Sequence, residues 1–144
     1  VAARLCGGLA GALVTVHRDL HDKQLLVDDE GAVGILDFDT LATGEAALDL
    51  GNLVVHLELR ALQGACTAGA ARAAREALLD AYAPDEALLV RAGTYAQATR
   101  LRLACLYALR PAPPAVVPEL LSRLDRWASR PAPAAGSHRA RPPL

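Results

Sequence analysis

The chain has 144 residues, enough for one domain, and 53% hydrophobic with 22% charged residues allows a packed core. A formal net charge of −1 gives no basic footprint for nucleic acid, and acidic or arginine residues interrupt every apolar stretch before it could span a membrane. Cys6, Cys66 and Cys105 are too few and too widely spaced for a disulfide framework or a zinc knuckle, so reduced and mostly buried thiols in a cytoplasmic protein are expected.

In chain order, Val1–Leu13 reads as the end of a helix or a linker, because Gly7, Gly8 and Gly11 weaken any helix. Leu13–Val16 is a short β-prone run leading to His17. Leu25–Val27 and Val33–Leu36 flank Asp28-Asp29-Glu30-Gly31, which supplies hairpin turn chemistry. With that turn, Val27 faces Ala32 and Gln24 falls opposite Ile35. Asp39–Glu45 reads as loop.

From Ala46 the pattern turns helical. Leu50, Leu53, Val54 and Leu57 follow the helical period. Ala71, Ala74, Leu78 and Tyr82 make a weaker stripe ended by Pro84. Leu89, Ala92, Ala96, Thr99, Leu103 and Leu106 form a long third stripe closed by Pro111. A fourth helix starts near Pro118 and carries Leu120, Leu121, Leu124 and Trp127. The expected architecture is α+β, a β-hairpin platform followed by about four helices over residues 1–130. Residues 131–144, rich in Pro, Ala and Arg, read as a disordered tail.

The chemistry concentrates in His17-Arg18-Asp19-Leu20-His21-Asp22-Lys23-Gln24 and in Asp37-Phe38-Asp39. The hairpin brings Gln24 near Asp37 at its open end, and Asp19 sits on the loop just before it. Two carboxylates and an amide oxygen suit Mg²⁺, which shares its shell with substrate phosphates. Phosphoryl transfer needs such a metal and an aspartate that takes the proton of the attacking hydroxyl. Asp19 is the candidate base, with Gln24 and Asp37 as candidate metal ligands.

His17-x-Asp19 with Gln24 five residues later resembles the HxDxxxxN loop shared by protein kinases and by the aminoglycoside phosphotransferase and choline kinase-like family. His21, two after Asp19, is similar to the small-molecule branch. So are Asp37-Phe38-Asp39 and the segment Gly44 to Leu50, which carries Asp49 as an Asp-Leu pair. The resemblance implies the C-terminal lobe of a protein-kinase-like fold. It also implies ATP and Mg²⁺ as co-substrate and cofactor, and a hydroxyl of an aminoglycoside, sugar or amino alcohol as acceptor. It implies that Asp49 braces the catalytic loop. His17 is assigned to loop structure, His21 to loop support or phosphate and acceptor contact, and Asp39 to a second metal or an exposed loop.

Two features depart from the family pattern. Gln24 stands where the family has Asn, one methylene longer. Only sixteen residues precede His17, so no Gly-rich loop or strand lysine is present. The expectation is therefore an N-lobe missing from the chain, little activity of the chain alone, and a surface prone to self-association. The sequence lacks Met, which leaves either an alternative start at Val1 or further residues upstream. The competing readings are a non-catalytic pseudokinase remnant or binding module, and more distantly zinc ligation by His17, Asp19 and His21. His56 and Glu58 are read as a satisfied core histidine and a surface acid; Tyr82, Tyr95, Tyr107 and Trp127 are read as packing anchors.

Overall fold

The computed structural model describes residues 2–7, 11–110 and 116–128. A short helix α1 (Ala2–Gly7) precedes strand β1 (Leu13–Val16). A 3-10 turn (Asp22–Gln24), strands β2 (Leu25–Val27) and β3 (Val33–Ile35), a second 3-10 turn (Phe38–Thr40) and strand β4 (Ala42–Glu45) follow. Helices α2 (Ala46–Leu62), α3 (Ala68–Tyr82), α4 (Glu86–Ala108) and α5 (Val116–Ala128) complete the described chain. The protein is α+β, as its hydrophobic periods indicate. Among the described residues, no helix is long and apolar enough to cross a membrane.

The two sheets are antiparallel pairs, β1 with β4 and β2 with β3. Strand β4 corrects the expectation of a loop over Asp39–Glu45. Its Ala-Thr-Gly-Glu sequence gives no apolar alternation, and its partner lies far back in the chain, with Leu13 opposite Glu45 and Val16 opposite Ala42. The hairpin register is also one residue off the expected one: Val27 pairs with Val33 and Leu25 with Ile35. The cause is Asp28. Its Oδ1 accepts the amides of Glu30 and Ala32, at 3.0 and 2.7 Å, so the turn takes in Ala32.

The core lies among the helices. Val55 and Leu59 of α2, Ala96, Leu103 and Ala104 of α4, and Val116 and Leu120 of α5 form one buried cluster. Ala47, Leu50 and Ala92 form a second, against which Leu78 and Leu79 of α3 pack. Helix α3 buries little else: Ala71 is its one buried residue, and Tyr82 is half exposed. It is capped by the Thr67 hydroxyl at its start and ends at Ala83 in the left-handed conformation, one residue before Pro84. Asp85 caps α4 through its bond from the Leu88 amide at 2.7 Å. Helix α5 starts two residues before Pro118, which sits in its first turn, where a missing amide proton costs nothing.

Strands β2 and β3 are the opposite of the helices. Leu26, Val27, Val33 and Ile35 are all exposed. The thiols depart from expectation too: Cys6 and Cys105 are exposed and Cys66 half-buried, all three free. Tyr107 accepts a hydrogen bond from Gln63 at 2.7 Å, whereas the Trp127 side chain and the expected tail fall outside the described residues.

Helices α2 and α4 meet at Gly51. A Cβ there would lie 2.6 Å from the Ala92 carbonyl and 2.9 Å from the Ala96 amide nitrogen, both rigid backbone. Gly51→Ala should therefore push the helices apart and cost about 1–3 kcal/mol in denaturant unfolding. Gly93→Ala, where a Cβ meets nothing within 4 Å, should instead stabilise α4 by about 0.5–1 kcal/mol. Equal effects of the two substitutions would contradict the close approach at Gly51.

Candidate active site

The site begins where β1 ends. His17 is 6% exposed and is held on every side. Its amide donates to Asp49 Oδ2 at 2.6 Å, and the Arg18 amide donates to Asp49 Oδ1 at 2.8 Å. Thr40 Oγ1 donates to the His17 carbonyl at 2.6 Å. The His17 ring reaches the Leu36 carbonyl through Nε2 at 2.7 Å. A carbonyl only accepts, so Nε2 carries the proton; Nδ1 is buried with no hydrogen-bond partner among the described residues. Phe38 packs on the ring at 5.6 Å between centroids.

This bracing holds backbone that the sequence does not favour. Arg18 has φ +71° and Asp37 φ +62°, both left-handed and neither glycine. Each costs on the order of 1 kcal/mol or more, and such residues persist only where surrounding bonds over-determine them. Left-handed Arg18 turns two consecutive amides toward one side, a concavity that suits an anion. Asp49 in the first turn of α2 fills it.

The next loop residues are fixed by the same helix. Asn52 Nδ2 donates to the Leu20 carbonyl at 2.8 Å, while its Oδ1 accepts from Thr99 and Arg102 of α4 at 3.2 and 3.1 Å. Arg60 pairs with Asp22. The His21 ring lies against His56, with centroids 4.9 Å apart and 27° between planes. Asn52, Thr99, Arg102 and Arg60 were missed by reading motifs alone. The signal that finds Asn52, His56 and Arg60 is their spacing from Asp49, which places all four along one side of α2.

Of the sequence-predicted ligand pair, Gln24 and Asp37 come together: Gln24 Nε2 donates to Asp37 Oδ2 at 3.1 Å. They meet because the Leu36 amide bonds the Gln24 carbonyl at 2.9 Å, aligning the end of the hairpin. Asp19 has other neighbours. Its carboxylate lies 3.8 Å from His21 Nε2 and 3.8 Å from Arg102, and its side chain is 42% exposed. Asp39 is exposed in the second 3-10 turn.

His56 and Glu58 correct their expected roles. His56 Nε2 is buried and has no hydrogen-bond partner among the described residues. Burial, then the charges of His21 and Arg102, lower its pKa from 6.5 to about 4, against the pull of Asp22 and Asp19. Glu58 takes a two-pronged bond from Arg100 at 2.8 Å and a longer contact from Arg123, tying α2 to α4 and α5. Glu45, buried at the start of α2, is held below its ordinary pKa chiefly by its bond from Arg91. Arg91 also stacks on Tyr95, 5.1 Å from the ring centre.

Residues 2–89 match the phosphotransferase enzyme family, and those residues include the whole loop, both sheets and α2. The chain belongs to that family. No curated protein and no solved structure matches it. Membership gives the chain a kinase-like phosphotransferase character. Gln24 and Asp37 each carry an oxygen donor of the hard kind that Mg²⁺, the ion such kinases generally use, takes, and here the Gln24 amide nitrogen is the atom that faces Asp37.

Removing the Asp49 carboxylate leaves two loop amides without an acceptor, at about 1–3 kcal/mol for each that stays buried. Asp49→Ala should thus raise amide hydrogen exchange at His17 and Arg18 more than in β2 or β3; unchanged exchange would show that the loop holds itself. His56 gives a second expectation. Below pH 6.5 the unfolded chain binds a proton that folded His56 refuses until about pH 4, so stability is complete above that window and falls as pH drops through it. Because the ring is partly solvated, the loss between pH 7 and 5 should be about 1 kcal/mol. His56→Gln should flatten that slope in urea unfolding at the two pH values.

Proposed function

We propose that this lobe carries the acceptor and metal side of an ATP-dependent phosphotransferase acting on a hydroxyl of a small molecule such as an aminoglycoside, sugar or amino alcohol. The observation that carries the proposal is the Gln24–Asp37 contact of 3.1 Å beside the braced loop that presents Asp19. In this reading Asp19 accepts the proton of the acceptor hydroxyl as its oxygen bonds to the γ-phosphorus and the bond to the ADP oxygen breaks. Its exposure leaves it open to such a hydroxyl. Gln24 and Asp37 would hold Mg²⁺, which supplies positive charge to the phosphate oxygens. His17 and Asp49 are positioning residues, His21 supports the loop near Asp19, and Asp39 is a second acidic group on the metal side.

The parts that cover nucleotide are proposed to lie outside this lobe. The exposed apolar strand face of Val27, Val33 and Ile35 supports that view, since it offers a partner lobe, or a second copy, a surface to bury. A second reading, a non-catalytic remnant or binding module, draws on the same contact. The Gln24 amide already satisfies Asp37 without an ion.

Metal binding and phosphoryl transfer separate the two. Asp37→Asn should weaken Mg²⁺ at least tenfold in calorimetry. Asp19→Asn should leave Mg²⁺ in place and, in a protein that joins this lobe to a nucleotide-covering one, slow transfer from ATP to a hydroxyl acceptor by about 10²–10⁴-fold. Gln24→Asn, with a shorter arm, should tighten Mg²⁺. A protein that binds no Mg²⁺, with no effect of Asp37→Asn, would favour the non-catalytic reading.

A further inference from the structure

Away from the Gln24–Asp37 pair, His21, Asp22 and His56 each place a ligand atom within 4.8 Å of the other two. We propose that these three residues form a transition-metal site of the zinc class, which ties the catalytic loop to α2. Two imidazoles and a carboxylate are donors that zinc accepts at about 2.0–2.2 Å, with a fourth position left for water or a ligand. Imidazole nitrogen selects against Mg²⁺ and Ca²⁺, so this site is chemically distinct from an all-oxygen one.

Three observations favour it. The ring centroids of His21 and His56 are 4.9 Å apart. Two imidazoles sharing one tetrahedral zinc have centres about 5 Å apart, given those bond lengths. Second, His56 Nε2 is buried with no hydrogen-bond partner among the described residues, and a fold seldom leaves a buried ring nitrogen idle. Third, Asp22 is already oriented: Arg60 bonds its Oδ2, which would make Arg60 the outer partner of a ligating carboxylate.

Binding requires two local changes. Ligand atoms on one tetrahedral zinc lie about 3.5 Å apart, so the widest gap must close by roughly 1 Å. His21 must also release the Lys23 amide, which now bonds its Nδ1 at 3.2 Å. If Nδ1 ligates, its lone pair goes to the metal. If Nε2 ligates, Nδ1 must hold the proton and can no longer accept. That bond is long, so its loss is a modest cost. A metal here would draw His21 toward α2 and away from Asp19.

Co²⁺ serves as the probe, because its visible absorption reports tetrahedral nitrogen ligation directly. The whole chain should develop visible bands on Co²⁺ titration, lose them to Zn²⁺, and melt at higher temperature with either metal. His56→Gln and His21→Gln should each weaken Co²⁺ at least tenfold and abolish the bands. Asp37→Asn should keep them, as should a variant with Cys6, Cys66 and Cys105 all changed to Ser. The proposal is overturned if the wild-type chain shows no bands at millimolar Co²⁺ or if the bands survive in the histidine variants. It is equally overturned if they vanish in the Asp37 or triple-cysteine variant, which would place the metal elsewhere. Should His56→Gln fail to fold by circular dichroism, His21→Gln, on the loop, decides alone.

Discussion

The Asp49 carboxylate is the constraint on which the site depends. One side chain accepts two consecutive loop amides, and it can do so only because Arg18 adopts a left-handed conformation that turns both the same way. The strain at Arg18 and the bonds to Asp49 are two halves of one arrangement. An arginine has no intrinsic reason to sit at positive φ, so the bonds to Asp49 offset the cost of that conformation. A carboxylate in the first turn of a helix is favourable in any case, and here the same charge also answers the loop amides.

Helix α2 extends that logic along its length. Asp49 takes His17 and Arg18, Asn52 takes Leu20, His56 lies against His21, and Arg60 takes Asp22. Successive helical turns thus register successive loop residues. The other side of α2 presses on α4 through Gly51 and reaches α4 and α5 through Glu58. Loop geometry is therefore set by the packing of the helical core, and Arg102 and Thr99 carry α4 into the same network through Asn52.

Much of this was legible in the residues, and the failures have physical causes. The four long helices follow from 3.6-residue stripes, and the hairpin from Asp28 to Gly31 between apolar runs. The one-residue register shift came from a side chain, Asp28, capturing two amides, which turn composition does not encode. Strand β4 was hidden because its pairing with β1 is non-local and its sequence is small and polar. The Gln24–Asp37 contact was foreseen from hairpin geometry even though the register beneath it was not. The helix-side partners were invisible to motif reading. Asn52, His56 and Arg60 look unremarkable singly and acquire meaning only as one side of a helix that begins with Asp49.

The register shift bears on glutamine at position 24. With Leu25 opposite Ile35, the backbone of Gln24 stands against Leu36, one residue short of Asp37. The longer glutamine arm crosses that offset and closes on the carboxylate directly. An asparagine there would stop a methylene short, leaving a space between two oxygen donors in place of a hydrogen bond. On the proposed reading that space is where an ion belongs, so glutamine and metal compete for Asp37. The amide must rotate its oxygen inward and surrender its own bond before it can serve as a ligand. The same residue would then hold the site closed without magnesium and help hold the ion once it arrives.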